Sequence, residues 1–437
     1  MIEHRPAYHF QPPADWMNDP KPFFWEGAYH VFFQYSPGSN WDLRHWGHTV
    51  SRDLVHWEQL PIALTPDPTG ADKDGCWTGC VVQDRRRFHI FYTGVHPQVQ
   101  CLASSSDLIS WRKYEANPVV SAKPEGFGEC FRDPCVWKEG AAWHMVIGSQ
   151  VPNGGGAALL YESSDLIHWR YCHPLFLGDP AQTGAMFECP DFFPLGERHV
   201  LLSSYGKTHW HIGTYADRRF RAESVGVTDG GHYYAAKTLR DDRGRRIIWG
   251  WITEDRPLAE QKAAGWSGVL SMPRVLTLLP DGTLGIQPVP ELEALRGGHW
   301  HYEKLALSAK GEEAVLLLDG PKGDCLEILA QFSIQEANEV GITVLCSPDR
   351  AEGKEITYYP TEHRLLGAPL PLSKGEKLTL RIYVDRSVIE AFANGRACQT
   401  DRFYRQREDS LGIGLFCREG RIIVESLDVW EMKAIKP

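Results

Sequence analysis

Ser51-Arg52-Asp53-Leu54-Val55-His56-Trp57, Ser105-Ser106-Asp107-Leu108-Ile109-Ser110-Trp111 and Ser163-Ser164-Asp165-Leu166-Ile167-His168-Trp169 are three copies of one pattern. Their aspartates stand 54 and 58 residues apart. A fixed period of that length is the mark of a repeat architecture, in which each unit is one supersecondary element that buries its apolar face against the next. A second pattern runs alongside it: an apolar strand, a polar turn, then a histidine followed by β-formers. The turn-and-strand pieces are Trp25 to Phe33, Gln83 to Phe91, Lys138 to Ile147 and Gly196 to Leu202, with His30, His89, His144 and His199 at the repeated place. A fifth piece, Asp241 to Trp251, carries Arg246 there. Four repeated histidines suggest a metal site, but a strand position satisfied within each unit explains them more simply. Five units of about 50 residues, each with several short alternating strands and no long helical period, predict an all-β chain that opens with a five-bladed β-propeller over residues 1–290.

The pattern changes at Gln287-Pro288-Val289-Pro290. Residues 291–300 read as a linker that begins with a short helical turn, Glu291 to Leu295, and continues through Gly297-Gly298. Residues 301–437 then show strands such as Ala314 to Leu318, Glu339 to Leu345, Lys377 to Val384 and Ile413 to Phe416 between Gly, Pro and Asp turns. This reads as an antiparallel β-sandwich.

The bulk numbers exclude several classes. Lys plus Arg is 46 against 56 Asp plus Glu, a net charge of −10, so nucleic acid and acidic membranes are not expected partners. There is no run of 18 apolar residues to span a bilayer. The first residues, Met1-Ile2-Glu3-His4-Arg5-Pro6, lack an apolar leader core, and the 11 cysteines are odd in number without any CxxC pair. Reduced thiols in a cytoplasm are the expectation. No cofactor is expected. Exposed sandwich edges leave room for a homodimer.

Counting back 11 residues from each repeat histidine reaches Asp19, Thr78, Asp133 and Glu188. Three of the four are acids. Each acid sits in a turn-flanked signature: Trp16-Met17-Asn18-Asp19-Pro20, Phe131-Arg132-Asp133-Pro134 and Phe187-Glu188-Cys189-Pro190. Equivalent positions in a propeller lie at one height around one axis, so three carboxylates are expected to converge. Crowded acids raise at least one pKa. That separation of roles is what glycoside hydrolysis uses, one carboxyl as proton donor and another as nucleophile or base. The plain alternative is an Asp turn repeated in every blade to cap backbone amides. A calcium site is another use of clustered acids, but no EF-hand-type loop is present, so no metal is assigned.

These motifs, with Phe32-Phe33-Gln34-Tyr35, Trp46-Gly47-His48, Trp249-Gly250-Trp251, Trp266-Ser267-Gly268, Met272-Pro273-Arg274 and Val384-Asp385-Arg386-Ser387-Val388-Ile389-Glu390-Ala391-Phe392, resemble glycoside hydrolase family 32 in order along nearly the whole chain. The resemblance implies a propeller followed by a sandwich and a retaining cleavage of terminal β-D-fructofuranosyl groups through a covalent fructosyl-enzyme. It implies Asp19 as nucleophile, Glu188 as general acid/base and Asp133 as transition-state stabiliser, with Asp19 and Glu188 about 5–5.5 Å apart. It implies contacts to a small fructose-containing sugar from Asn18, Gln34, Trp41, Trp77, Thr78, Arg132 and Trp266; core packing is the plain alternative for Trp41 and Trp266. Sucrose or short fructo-oligosaccharides are the expected substrates, with sucrose-6-phosphate, an unusual fructoside or transfer to a sugar acceptor as alternatives. The chain departs from the family where Lys21-Pro22 follows Pro20 in place of Asn-Gly. A changed turn is expected there, with Lys21 solvated near the pocket mouth.

Overall fold

The computed structural model describes residues 2–38 and 41–435, the side chains of Lys310 and Glu312 aside. It divides into two compact units. One runs over Gln11–Val227 and Tyr233–Leu284; the other gathers the chain up to Phe10, the segment Thr228–His232 and the chain from Gly285 onward.

The first unit is a five-bladed propeller. Each blade is built outward from an inner strand by antiparallel pairing, and in the first blade Trp266–Ser267 adds a short parallel pairing on the inner strand's other edge. The inner strands are β1 (Asp15–Trp25), β2 (Cys76–Asp84), β3 (Phe131–Glu139), β4 (Glu188–Leu195) and β5 (Tyr233–Arg240). β1 packs beside β2, β2 beside β3, β3 beside β4, β4 beside β5, and β5 beside β1, so the ring closes. Alternation drives the arrangement: one face of each sheet meets the preceding blade and the other meets the next. The Phe32, Trp46, Phe88, Ile90 and Tyr92 side chains fill the space between the first two blades, all buried.

The repeated Ser-x-Asp-Leu-x-x-Trp motif is the turn between the third and fourth strands of its blade. In the second blade Asp107 Oδ1 accepts from the Ile109 and Ser110 amides at 2.9 and 2.8 Å, and Ser105 Oγ donates to the same oxygen. The third blade repeats this with Asp165, Ile167, His168 and Ser163. The turn forces its leucine into the left-handed region, φ 66° at Leu54, 64° at Leu108 and 68° at Leu166. The tryptophan that ends each motif reaches the previous blade: Trp111 meets Phe32 at 5.8 Å, Trp169 meets Phe91 at 5.6 Å, and Trp57 meets Trp249 of the fifth blade at 6.3 Å. The motif therefore sets the period because it is the joint between blades. The histidines are held locally, as expected. His30 Nδ1 meets His48 Nε2 at 3.0 Å, His89 meets Ser104 Oγ at 2.9 Å, and His144 stacks on Trp137.

The second unit is built on three long antiparallel strands, β6 (Arg296–Leu317), β7 (Cys325–Cys346) and β9 (Gly412–Met432). The first half of β7 pairs with β8 (Leu378–Asp385), and the second half pairs with Lys354–Tyr359. One set of long strands thus serves both layers of the sandwich. Of the short strands read from sequence, Lys377 to Val384 is β8 and the other three fall on these long ones, whose interruptions are bulges, where register shifts at Ala309/Glu313 and Ile334/Glu336. Gly420 lies at that bend with φ 132°, and a Cβ there would stand 1.0 Å from the Glu336 carbonyl oxygen. The 291–300 stretch is a 3-10 turn, Pro290–Leu295, running straight into β6. The Val384–Phe392 motif anchors the N-terminal segment. Asp385 accepts from the Ala7, Tyr8 and His9 amides, and the buried His9 ring bridges Asp385 at 2.8 Å and Glu390 at 3.0 Å.

Two outcomes follow from these contacts. Leu108→Ala should cost about 2–4 kcal/mol in urea unfolding for the emptied core site, and Leu108→Gly should cost no more, since glycine relieves the left-handed strain. Burial alone would lower the His9 pKa, but Asp385 and Glu390 outweigh it and raise it to about 9. A raised folded value gives stability that is complete below the unfolded value, roughly 6.5, and is lost as pH rises through about 9. Melting temperature should therefore fall between pH 7 and 9.5, and His9→Asn should flatten that fall.

Candidate active site

The inner strands do not run straight. In each, the pairing to the next strand slips by one step: between Asn18 and Pro20, Trp77 and Gly79, Arg132 and Cys135, Glu188 and Asp191, and Tyr234 and Lys237. Asp19, Asp133, Cys189 and Ala235 lie in these bulges with φ of 38°, 63°, 49° and 53°. A bulge re-aims side chains. Here it turns two successive residues of a strand toward the same end of the propeller axis.

This pairing corrects the register inferred from the histidines. Asn18, Trp77, Arg132, Glu188 and Tyr234 form one ring, and Asp19, Thr78, Asp133, Cys189 and Ala235 form the next. Glu188 is thus equivalent to Arg132, not to Asp133. The count fails in the fourth blade because His199 is the second residue of its strand Arg198–Tyr205, whereas His144 is the third of Ala142–Gln150. Glu188 still joins Asp19 and Asp133, because both rings border one pocket.

That pocket, of about 330 Å³, is lined by Asn18, Asp19, Gln34, Trp77, Arg132, Asp133 and Glu188 from the sequence reading, and by Trp16, Arg44, Cys189, Tyr234 and Trp251 besides. Thr78 lies against it, its hydroxyl donating to Asp19 Oδ2 at 2.6 Å. Asp133 is 3% exposed; its Oδ2 accepts the Cys189 amide at 2.8 Å, and its own amide donates to Thr93 Oγ1 at 2.9 Å. The Cys189 thiol stands 3.6 Å from Asp133 Oδ2 and 3.9 Å from Asp19 Oδ2, which ties the three acid-bearing strands together. Glu188 is gripped from both sides, by Arg132 on Oε1 and by the Tyr234 hydroxyl on Oε2. The walls are aromatic: Trp16 meets Trp251 at 6.1 Å, the Arg44 guanidinium covers Trp16 at 3.7 Å, and Arg132 lies 5.6 Å from the Trp77 ring. The carbonyl oxygen of the Asn18 side chain is buried at the pocket with no hydrogen-bond partner.

Two expected sugar contacts are not brought to the pocket. Trp41 and Trp266 are 7% and 6% exposed, and Arg256 covers the Trp266 face at 4.2 Å. Lys21 is not solvated at the mouth either. β1 continues past Asp19 without a turn, pairing Lys21 with Phe32 and Pro22 with Val31, which leaves Lys21 1% exposed with its ammonium 4.4 Å from the Trp46 ring. Tyr234 and Arg44 went unread because neither stands in a repeated or recognised motif. Trp16 and Trp251 stood inside quoted motifs, and only the fold shows their faces turned to the pocket.

The electrostatics single out Asp19. Burial is the largest influence and pushes its carboxyl up to about 6; Asp133 and Glu188 add to that, while Lys21 and the Thr78 hydroxyl pull it down. Among the described residues, the one group of His, Cys, Asp and Glu with ligand atoms close enough to share a metal ion is His299, His301 and Asp428, in the sandwich unit.

Known proteins resemble this chain over nearly its whole length. The model of the glycosyl hydrolases family 32 N-terminal domain matches residues 9–288, and that of the family 32 C-terminal domain matches residues 291–431. A sucrose-6-phosphate hydrolase of Escherichia coli is 33% identical, over 98% of this chain and 94% of its own. An acid beta-fructofuranosidase of Vicia faba is 32% identical over 98% of this chain and 81% of its own. The crystal structure of fructan 1-exohydrolase IIa from Cichorium intybus in complex with 1-kestose superposes with a TM-score of 0.88 at 27% identity, covering 100% of this chain and 99% of that one. With both family models matched end to end and three acids from separate blades on one pocket, the chain belongs to glycosyl hydrolase family 32 and is a β-fructofuranosidase-type glycosidase.

Proposed function

We propose that the enzyme releases terminal β-D-fructofuranosyl groups from sucrose or short fructo-oligosaccharides with retention. The observation that carries this reading is the meeting of Asp19, Asp133 and Glu188 in one aromatic-walled pocket. Asp19 attacks the anomeric carbon while Glu188 protonates the leaving oxygen. Water, activated by Glu188, then breaks the fructosyl ester. Asp133, fixed by the Cys189 amide, accepts from fructose hydroxyls, and Asn18, Gln34 and Arg132 complete the polar contacts. Thr78 steadies Asp19. Arg132 and Tyr234 are positioning residues for Glu188.

Sucrose-6-phosphate is the second reading. Arg44 supports it, as a cation on the pocket wall suited to a phosphate on the leaving group, and so does the similarity to sucrose-6-phosphate hydrolases. A cytoplasmic location belongs to the same reading, supported by eleven cysteines that are all unpaired. No helix among the described residues is long and apolar enough to cross a membrane.

Specificity constants for sucrose, sucrose-6-phosphate, 1-kestose, inulin and levan decide the substrate; inactivity on all five would sink the proposal. With methanol as acceptor the product should be methyl β-D-fructofuranoside, whereas the α-anomer would exclude retention. Asp19→Asn should lower kcat at least about 10³-fold. Wild-type kcat/KM should rise with pH through about 6 as Asp19 ionises. The raised folded pKa means that stability is lost as pH rises from the unfolded value, roughly 3.9, to about 6, and the loss is complete above that. Asp19→Asn should therefore melt higher than wild type at pH 8 and no higher at pH 4.

A further inference from the structure

Beyond the carboxylates, the inner strands resume normal alternation, and their next inward ring is Lys21, Cys80, Cys135, Asp191 and Lys237. These five, with Arg246, line a second cavity of about 510 Å³ in the propeller, separate from the carboxylate pocket. Its charge is unbalanced. Lys21 and Lys237 are 1% and 2% exposed. The Lys21 ammonium has no hydrogen-bond partner, and that of Lys237 donates only to the Pro190 carbonyl at 2.9 Å. The Arg246 guanidinium lies 4.5 Å over the Phe193 ring, gives Nη1 to Thr238 Oγ1 at 3.3 Å, and keeps a buried Nε without a partner.

No described carboxylate comes within the 4.0 Å ion-pair distance of any of these three cations. Asp19 and Asp133, on the pocket side of Lys21, are among those that do not. Asp191, the one acid of the ring, has its oxygens engaged: Oδ2 by the Thr238 amide and hydroxyl at 2.8 and 2.7 Å, Oδ1 by the Cys135 thiol at 3.4 Å. Burial holds the two thiols neutral by raising their pKa values. Lys138 and Glu139, which also border the cavity, are paired elsewhere, with Asp84 and with the Tyr215 hydroxyl. Burial pushes the Lys21 ammonium down to about 7 against the pull of Asp19 and Asp133, whereas Lys237 is raised despite its burial.

Buried cations are tolerated when an opposite charge accepts their hydrogen bonds. Two ammonium groups and a guanidinium around one cavity suit several acceptor oxygens on one small anion. We infer that this channel binds a single small oxyanion of the phosphate class, at a site distinct from the fructosyl pocket.

Calorimetric titration of the full chain with inorganic phosphate, repeated with sulfate, tests the inference. One saturable site that persists in saturating fructose is expected, and it should raise the melting temperature by mass action. Arg246→Gln, at the cavity's half-exposed side, should weaken binding at least about tenfold, a loss of roughly 1.4 kcal/mol or more. Lys21→Met should remove it. If Lys21→Met does not fold, Arg246→Gln still decides the matter. Phosphate without saturable binding up to 20 mM overturns the site, as does displacement by fructose, which would place the anion beside Arg44 and Arg132. Wild-type affinity in Arg246→Gln overturns it too. Because the readout is binding, inactivity on fructosides would leave this result unaffected.

Discussion

The slip in pairing at the same step of five inner strands is the constraint on which the rest of the propeller depends. A straight strand sends successive side chains to opposite faces. A chain with straight inner strands would place either Glu188 or Cys189 toward the pocket, but not both. The bulge admits both, and with them the amide of Cys189 that holds Asp133. Its cost is visible in the backbone, where Asp19, Asp133, Cys189 and Ala235 adopt positive φ without being glycine. Such strain, of order 1–3 kcal/mol per residue, persists only where surrounding structure overdetermines it. The blade-to-blade aromatic packing around Phe32, Trp46 and Tyr92 supplies that.

The same geometry sorts the acids by environment. Asp133 is buried among donors from its neighbours, a setting that fixes its orientation. Glu188 is clasped by a guanidinium and a phenol, so its carboxyl is aimed as well as solvated by protein groups. Asp19 has one hydroxyl partner and a burial penalty, and it is the acid pushed up toward neutrality. Preorganised dipoles aimed at a reacting centre are worth more in such a site than in water. Lys21 adds a buried positive charge two residues on, where the same strand has returned to regular alternation.

Much of this was legible before any coordinates. The Ser-x-Asp-Leu-x-x-Trp period exposes the propeller because its aspartate closes a local turn and its tryptophan makes the blade joint, both short-range needs that repeat in the chain. The acids Asp19, Asp133 and Glu188 were legible for a similar reason, since each sits one or two residues before a proline at a bulge that recurs. What escaped was register. His199 stands one place off the equivalent of His144, and no local signal marks the offset. For Trp41 and Trp266 the sequence left sugar contact and core packing both open, because an aromatic's type says nothing of what covers its face; in the fold both are buried, and Arg256 lies over Trp266. Lys21 was misread because lysine is seldom buried, and only the pairing of β1 with its neighbour carries it inside.

The sequence by itself determined the number of blades, the nature of the second unit and the identity of the three acids. Those properties reside in periodicity and local turn chemistry, which neighbouring residues settle among themselves. Only the tertiary structure decided which side chains share a ring, that Tyr234 and Arg132 hold Glu188, and that unpaired cations gather in a separate cavity. Such contacts join residues dozens to hundreds of positions apart, and their geometry follows from strand pairing and ring closure, which no stretch of chain encodes alone.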